Sequence, residues 1–295
     1  LARKGRKSLL ILCFLSASRL KGNSTHPNFT LLRKSGQTIH LMKYFSRILL
    51  ILITSVIVSC QNAIPGMAGT TPPNHEPWNQ LLKAHVSPTG IVDYKGFIKD
   101  KSKLDAYLKT ISANAPDRKT WSKNEQLAYW INAYNAFTVS LIVQNYPVKS
   151  IKDLGPALKI PLIKDVWHYK FFKIGGQESS LDEIEHSILR KEFEEPRIHF
   201  AINCASVSCP PLLNEAFMAS NIESQLVKVA KTFVNDKSRN KITANSVEIS
   251  SIFSWFRGDF TENGSIVDFL NKYSSIKIDA KAKVSYLDYN WNLNE

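Results

Sequence analysis

From Gln126 to Val148 the chain passes without a single charged side chain, and this stretch constrains the fold more than any other. Just ahead of it, Ser122-Lys123-Asn124-Glu125 reads as a capping box, with Ser at the N-cap and Glu at N3. Pro147 sets the far limit, because the residue before a proline avoids the helical region. The pattern predicts a helix from Ser122 to about Asn145. A helix that is apolar around most of its circumference has to be covered on nearly every side, so it belongs at the centre of a globular core. Tyr129, Asn132, Tyr134, Asn135, Thr138 and Ser140 within it argue against a membrane span. Asn132 and Asn135 lie three residues apart and share a face. Buried amides need partners, so this pair either pins neighbouring backbone or lines a pocket.

The elements around that helix alternate in type. Before it come a short helix from Trp78 to His85, an extended segment Gly90 to Tyr94, and an amphipathic helix Lys99 to Ala113. After it, Val166 to Ile174 is aromatic-rich and roughly alternating, and Gly175-Gly176 follows as a turn, which reads as a strand. A second capping box, Ser180-Leu181-Asp182-Glu183, opens a helix reaching Phe193. Ile198 to Ile202 reads as a short buried strand. Asn214 to Val234 reads as a long amphipathic helix, and Lys241 to Ser250 as a hairpin turning at Asn245-Ser246. Ile252 to Phe260 gathers aromatics around Asp259; a short helix at Ile266 to Tyr273 and a strand at Val284 to Trp291 close the chain. The expected fold class is α+β: an antiparallel sheet of four to six strands packed on the buried central helix, with other helices outside.

Chemistry concentrates between Leu181 and Pro211. His199 precedes Cys204 by five residues, and Cys209 follows five later. A thiol at the end of a buried segment, in a turn of small residues and close to an imidazole, is the raw material of nucleophilic cysteine chemistry. A free thiol of pKa about 8.5 is mostly protonated at neutral pH, and a neighbouring imidazolium lowers that value. Backbone N–H groups of the Cys204-Ala205-Ser206 turn are candidate oxyanion donors. On the preceding helix, Glu185 falls inside the apolar stripe of Leu181, Ile184, Ile188 and Leu189, while His186 falls on its margin. A carboxylate there needs a cation, an imidazole or several donors: either an ion pair with Arg190 or Arg197, or a catalytic imidazole that it orients. Three readings follow. Cys204 is a nucleophile; or Cys204 and Cys209 form a disulfide; or Cys204, Cys209, His186 and His199 hold a metal. The spacing of four residues between the cysteines does not match the tighter pairs usual for structural zinc. The chain has no Gly-rich phosphate loop, and neither cofactor nor metal is expected.

The formal charge of +13 does not indicate a nucleic-acid partner. Residues 1–60 hold ten Lys and Arg and no Asp or Glu, and the remainder is nearly balanced, with 28 basic against 25 acidic residues. Export explains the bias. Met42-Lys43-Tyr44-Phe45-Ser46-Arg47 is a short cationic segment, Ile48 to Val58 is apolar, and Ile57-Val58-Ser59-Cys60 places a small residue before a cysteine. This resembles a bacterial lipoprotein signal, with Cys60 the lipidated first residue. The apolar run is shorter than the roughly 20 residues a spanning helix needs. Four regions are expected: an upstream extension at 1–41, a signal peptide at 42–59, a lipidated cysteine with a flexible tether at 60–77, and a globular domain at 78–295. The expected location is the bacterial cell envelope, at the periplasmic face of the outer membrane, with the membrane as a partner through Cys60.

Several segments agree with one family. They are Ala128-Tyr129-Trp130-Ile131-Asn132-Ala133-Tyr134-Asn135-Ala136, Leu181-Asp182-Glu183-Ile184-Glu185-His186 with Ile188-Leu189-Arg190, the run Arg197 to Pro211, Ile252 to Phe260, and Leu287 to Asn294. From about Trp78 to Asn294, in this order, the chain resembles the domain of unknown function 547 family. The resemblance implies an exported protein similar to papain-like and transglutaminase-like thiol enzymes. It makes Cys204 the nucleophile, His199 the leading base with His186 as its rival, and Glu185 the orienting acid. It implies a hydrolase or acyltransferase for peptide, isopeptide or glutathione-like substrates. The alternative is a non-catalytic binding lipoprotein with a Cys204–Cys209 disulfide. One departure stands out: the central helix here starts without a thiol, so Cys204 reaches the site from elsewhere.

Overall fold

The computed structural model describes residues 71–154 and 165–295. The signal segment, Cys60 and the upstream extension therefore lie outside the described residues.

Helix α1 (Glu76–His85), α2 (Tyr94–Lys99) and α3 (Lys101–Ala113) lead to the central helix α4 (Lys123–Asn145). The capping box that opens α4 is complete. The Ser122 hydroxyl accepts the Glu125 N–H, and Glu125 accepts the Ser122 N–H at 2.7 Å. Every residue from Gln126 to Val143 is buried, as the absence of charge requires. The two amides act as expected. Asn132 Nδ2 donates to the Phe217 carbonyl at 2.8 Å while its Oδ1 accepts the Phe217 N–H at 3.0 Å. Asn135 Nδ2 donates to the Ala201 carbonyl and its Oδ1 accepts the Asn203 N–H, both at 2.9 Å. Each amide thus completes the hydrogen bonding of an irregular segment that no strand or helix could satisfy.

The fold is α+β, and its strands are fewer and more scattered than the sequence patterns suggest. Strands β1 (Phe172–Ile174) and β2 (Gln177–Ser179) form an antiparallel hairpin across Gly175-Gly176. Phe172 stacks on Phe137 of α4 with ring centroids 3.8 Å apart. The strand expected from Val166 thus contracts to its last three residues. After the hairpin, Leu181 begins a helix whose Glu183–Leu189 segment is π-helical and continues into α5 (Arg190–Phe193). Half of the second capping box forms, with the Ser180 hydroxyl accepting the Glu183 N–H, while the Glu183 carboxylate accepts from Ser179 instead.

Ile198–Ala201 is a helical turn, α6, and not a strand. All four residues are buried. A short run buried on every side carries neither the period of a helix nor that of a strand, so its type is set by its surroundings. Here Pro196 and Arg197 start the turn with carbonyls that accept the His199 and Phe200 N–H groups. Helix α7 (Ile222–Val234) covers only the second half of the predicted Asn214–Val234 helix.

Strands β3 (Lys241–Ile242) and β4 (Ser246–Ser250) pair as the expected hairpin. After the short helices α8 (Ile252–Trp255), α9 (Arg257–Thr261) and α10 (Ile266–Asn271), β5 (Lys283–Leu287) returns parallel to β4. The single antiparallel sheet of four to six strands is thus replaced by a hairpin and a three-stranded mixed sheet. At the other end, His75 is buried and bonds Tyr107 Oη at 2.8 Å, so the fold begins before Trp78. Gly90, at φ +83°, lets the chain pass the segment after Cys209, since a Cβ there would lie 2.4 Å from Pro211 Cβ.

Candidate functional site

A pocket of about 210 Å³ collects most of the residues singled out from the sequence: Glu185, His186, His199, Cys204 and Cys209. Three Trp (Trp167, Trp255, Trp291) with Phe256, Tyr134 and Tyr289 supply its aromatic lining.

His199 occupies α6 and is 3% exposed. Its ring stacks on Phe256, with centroids 3.9 Å apart. Nε2 lies 2.8 Å from Asp259 Oδ2, which makes Nε2 the donor and leaves Nδ1 as the bare lone pair. That Nδ1 is buried without a hydrogen-bond partner. Asp259, on α9, is gripped at both oxygens by Arg190, through Nε at 2.6 Å and Nη2 at 2.7 Å. Burial alone would raise the Asp259 carboxyl, but the bonds from Arg190 and His199 pull it well below the usual carboxylate range. The carboxylate that orients His199 at Nε2 is therefore Asp259. The sequence signal was an acid set in the aromatic run from Phe256 to Phe260, where a carboxylate must find a cation or a donor.

Glu185 reaches the other side of the imidazole. Its Oε1 lies 3.9 Å from His199 Nδ1 and its Oε2 accepts from Tyr134 Oη at 3.3 Å. Neither Arg190 nor Arg197 neutralises it: Arg190 is committed to Asp259, and Arg197 to Glu195 and Glu223. Burial, with Cys204 nearby, pushes the Glu185 carboxyl up to about 8, while burial lowers His199 below its ordinary value despite Asp259. At neutral pH the carboxyl is protonated and the imidazole is neutral, so the charges expected of a Glu–His pair are both absent. Glu185 lies in the π-helical turn. Its carbonyl accepts the Arg190 N–H five residues on, and Glu185 is buried beside Ile184 and Leu189, as its place inside the apolar stripe led one to expect.

His186 points elsewhere. Its Nδ1 accepts from Arg190 Nη1 at 2.9 Å, and its Nε2 lies 3.6 Å from Asp182, which His168 also approaches at 3.3 Å. With Nδ1 occupied and Nε2 facing a carboxylate, it presents no free lone pair to the thiols. Among the described residues no group of three or more His, Cys, Asp and Glu is placed to hold a metal ion. His186, turned toward Arg190 and Asp182, does not join Cys204, Cys209 and His199 in such a group.

The cysteine loop is built around Asn203. Its Oδ1 accepts the Ala205 N–H at 2.8 Å, a local side-chain turn that supports Ala205 at φ +58°. Its Nδ2 donates to the Pro210 carbonyl at 2.8 Å, and Asn294 and Tyr94 continue the chain of bonds behind it. The loop folds Cys209 back onto Cys204. The two Sγ atoms lie 2.7 Å apart as free thiols, and Cys209 Sγ accepts the Cys204 N–H at 2.9 Å. Ser206 Oγ and Tyr289 Oη each lie 3.4 Å from Cys204 Sγ. The Cys204 and Ala205 N–H groups are therefore spent on Cys209 and Asn203. The bond to Cys209, then burial, pushes the Cys204 thiol well up. Burial also raises Cys209, but bonds from Cys204 Sγ–H and N–H, Tyr289 and Ser206 bring it below the usual thiol value. Such a pair titrates as a unit, losing its first proton easily and its second with difficulty.

An α+β domain with two thiols, a carboxylate-anchored imidazole and a protonated carboxyl in one aromatic pocket defines the class of this molecule. Residues 118–234 match the model of the family described as "Protein of unknown function, DUF547", which supports the resemblance read from the sequence over that stretch. The match spans Glu185, His199 and both cysteines, while Asp259 and Tyr289 lie beyond it. No curated protein and no solved structure matches the chain.

Proposed function

We propose that the pocket is the active site of a thiol-dependent hydrolase or acyltransferase, acting on acyl groups of peptide, isopeptide or glutathione-like substrates. The observation that carries this reading is His199, anchored through Nε2 on Asp259 with its bare Nδ1 buried in the same pocket as Cys204. Cys204 is the nucleophile, and its rotation off Cys209 toward the pocket delivers its proton to Nδ1. Catalytic contacts of this kind commonly tighten only with substrate bound. Asp259 and Arg190 hold the imidazole in one tautomer. Glu185, protonated, supplies a hydrogen-bond donor to the pocket, a role for which a neutral buried carboxyl is suited.

The test is turnover of p-nitrophenyl acetate, with the acyl group located by peptide mass. Acetyl is expected on Cys204, and His199→Ala is expected to lower turnover by roughly 10²-fold. The rate should fall at acid pH as His199 protonates, below its ordinary value of 6.5, and fall again above about 8 as Glu185 ionises. Acetylation at Cys204 that proceeds equally in His199→Ala, with no fall above pH 8, sinks the assignment. The 2.7 Å contact of the thiols favours a second reading, a non-catalytic binding domain with the pair oxidised. Native protein lighter by two hydrogens and inert to the ester would select it.

We also propose attachment to the bacterial cell envelope through lipid on Cys60, supported by the cationic and apolar segments ahead of it. Among the described residues no helix is long and apolar enough to cross a membrane. Cys60→Ser is expected to move the protein from the detergent phase to the aqueous phase. Unchanged partition would remove the anchor.

A further inference from the structure

Hydrolytic chemistry uses one thiol, and the fold places two in contact. We propose that Cys204 and Cys209 are a thiol–disulfide exchange pair, in which Cys204 attacks a low-molecular-weight disulfide from the pocket and Cys209 resolves the mixed disulfide from behind. This rests on the reading of Cys204 as the reactive thiol of the pocket.

The geometry divides the labour. Both thiols line the pocket, but Cys204 is half-buried whereas Cys209 is 3% exposed. A disulfide arriving from solvent meets Cys204 first. Cys209 Sγ already touches Cys204 Sγ, so no rearrangement of the loop is needed to join them.

The loop is held shut for this by bonds that owe nothing to the sulfurs. Asn203 bridges from the Ala205 N–H to the Pro210 carbonyl across the loop. Arg239 donates to the Cys209 and Val207 carbonyls, each at 2.7 Å. A loop tied at both ends carries little of the entropy cost that normally opposes ring closure. Around the sulfurs, the Cys204 N–H and the Ser206 and Tyr289 hydroxyls stabilise the one negative charge that the pair carries after losing its first proton.

The step balances. In the reacting form the pair has released one proton to solvent, and the proton left passes to Cys209 as Cys204 becomes the thiolate. Cys204 Sγ attacks one sulfur of R–S–S–R; the Sγ–S bond forms, the S–S bond breaks, and RS⁻ leaves. That RS⁻ takes the Cys209 proton and departs as RSH. Cys209 Sγ then attacks Cys204 Sγ and expels the second RS⁻. The protein loses two electrons, the incoming disulfide gains them, and Cys204 is closed to acyl chemistry until a thiol reverses the exchange.

The experiment treats the reduced full-length protein with glutathione disulfide at pH 7 and follows the Cys204 and Cys209 peptides by mass. Wild type is expected to form the internal disulfide and to retain no glutathione. Cys209→Ser should hold one glutathionyl group on Cys204, and in Cys204→Ser the Cys209 peptide should react at least tenfold more slowly, because that thiol is buried. Thermal melts confirm that both variants are folded. Glutathione retained by wild type without an internal disulfide, or no mixed disulfide on Cys204 in folded Cys209→Ser, overturns the proposal. Ester turnover in His199→Ala tests the hydrolytic reading, and disulfide exchange in that same variant tests this one, so either can fail alone.

Discussion

Glu185→Gln is expected to raise the stability of the domain at pH 8 and to change it little near pH 4. The folded carboxyl titrates at about 8 against an ordinary 4.5, because burial disfavours its charged form. Below 4.5 both the folded and the unfolded chain hold the proton, and the site costs nothing. As pH rises from 4.5 towards 8, only the unfolded chain releases it, and stability falls by about 1.4 kcal/mol per pH unit. At pH 8 the accumulated cost is on the order of 4 kcal/mol. A glutamine has nearly the same shape and no proton to lose. Its oxygen can accept from Tyr134 Oη as Oε2 of Glu185 does. Removing the penalty should raise Tm by roughly 10 °C at pH 8 for a domain of this size. Melting curves of wild type and variant from pH 4 to pH 8 read the effect directly. A variant destabilised at pH 8, and less so at pH 4, would mean that Glu185 is ionised and paired in the native state. In the ester assay, the same substitution should abolish the fall in rate above pH 8.

Asn135→Ala is expected to cost about 2–5 kcal/mol and to disturb the thiols as well. The side chain satisfies the Ala201 carbonyl and the Asn203 N–H, two buried backbone groups at the exit of α6. Truncation strands both, and no other element stands ready to pair them. The exit of α6 joins His199 to Cys204, so loss of the amide loosens the geometry between imidazole and thiol. Asn132→Ala is the control. It strands the Phe217 N–H and carbonyl instead, outside the segment that joins His199 to Cys204. Both variants should melt at lower temperature, and only Asn135→Ala should alter the rate at which Cys204 takes up acetyl. Equal acetylation in the two variants would show that the cysteine loop is positioned by its own contacts through Asn203 and Arg239.

The parts of this molecule legible in the sequence are those whose causes are local. The capping box at Ser122, the charge-free helix behind it and the amides on its shared face depend on neighbours three or four residues away, and all three appear as read. The gathering of Glu185, His199 and Cys204 was also legible, because thiol, imidazole and buried acid lie within one short stretch of chain. What only the tertiary structure decided depends on distant contacts. Asp259 meets His199 across 60 residues and Tyr289 meets Cys204 across 85, and no periodicity encodes such encounters. The turn at Ile198–Ala201 was ambiguous because complete burial erases the difference between the two periods. The protonation of Glu185 was decided last, since a carboxyl's charge depends on the solvent and partners that the fold leaves it, and here the fold leaves it a tyrosine, a neutral imidazole and no cation of its own.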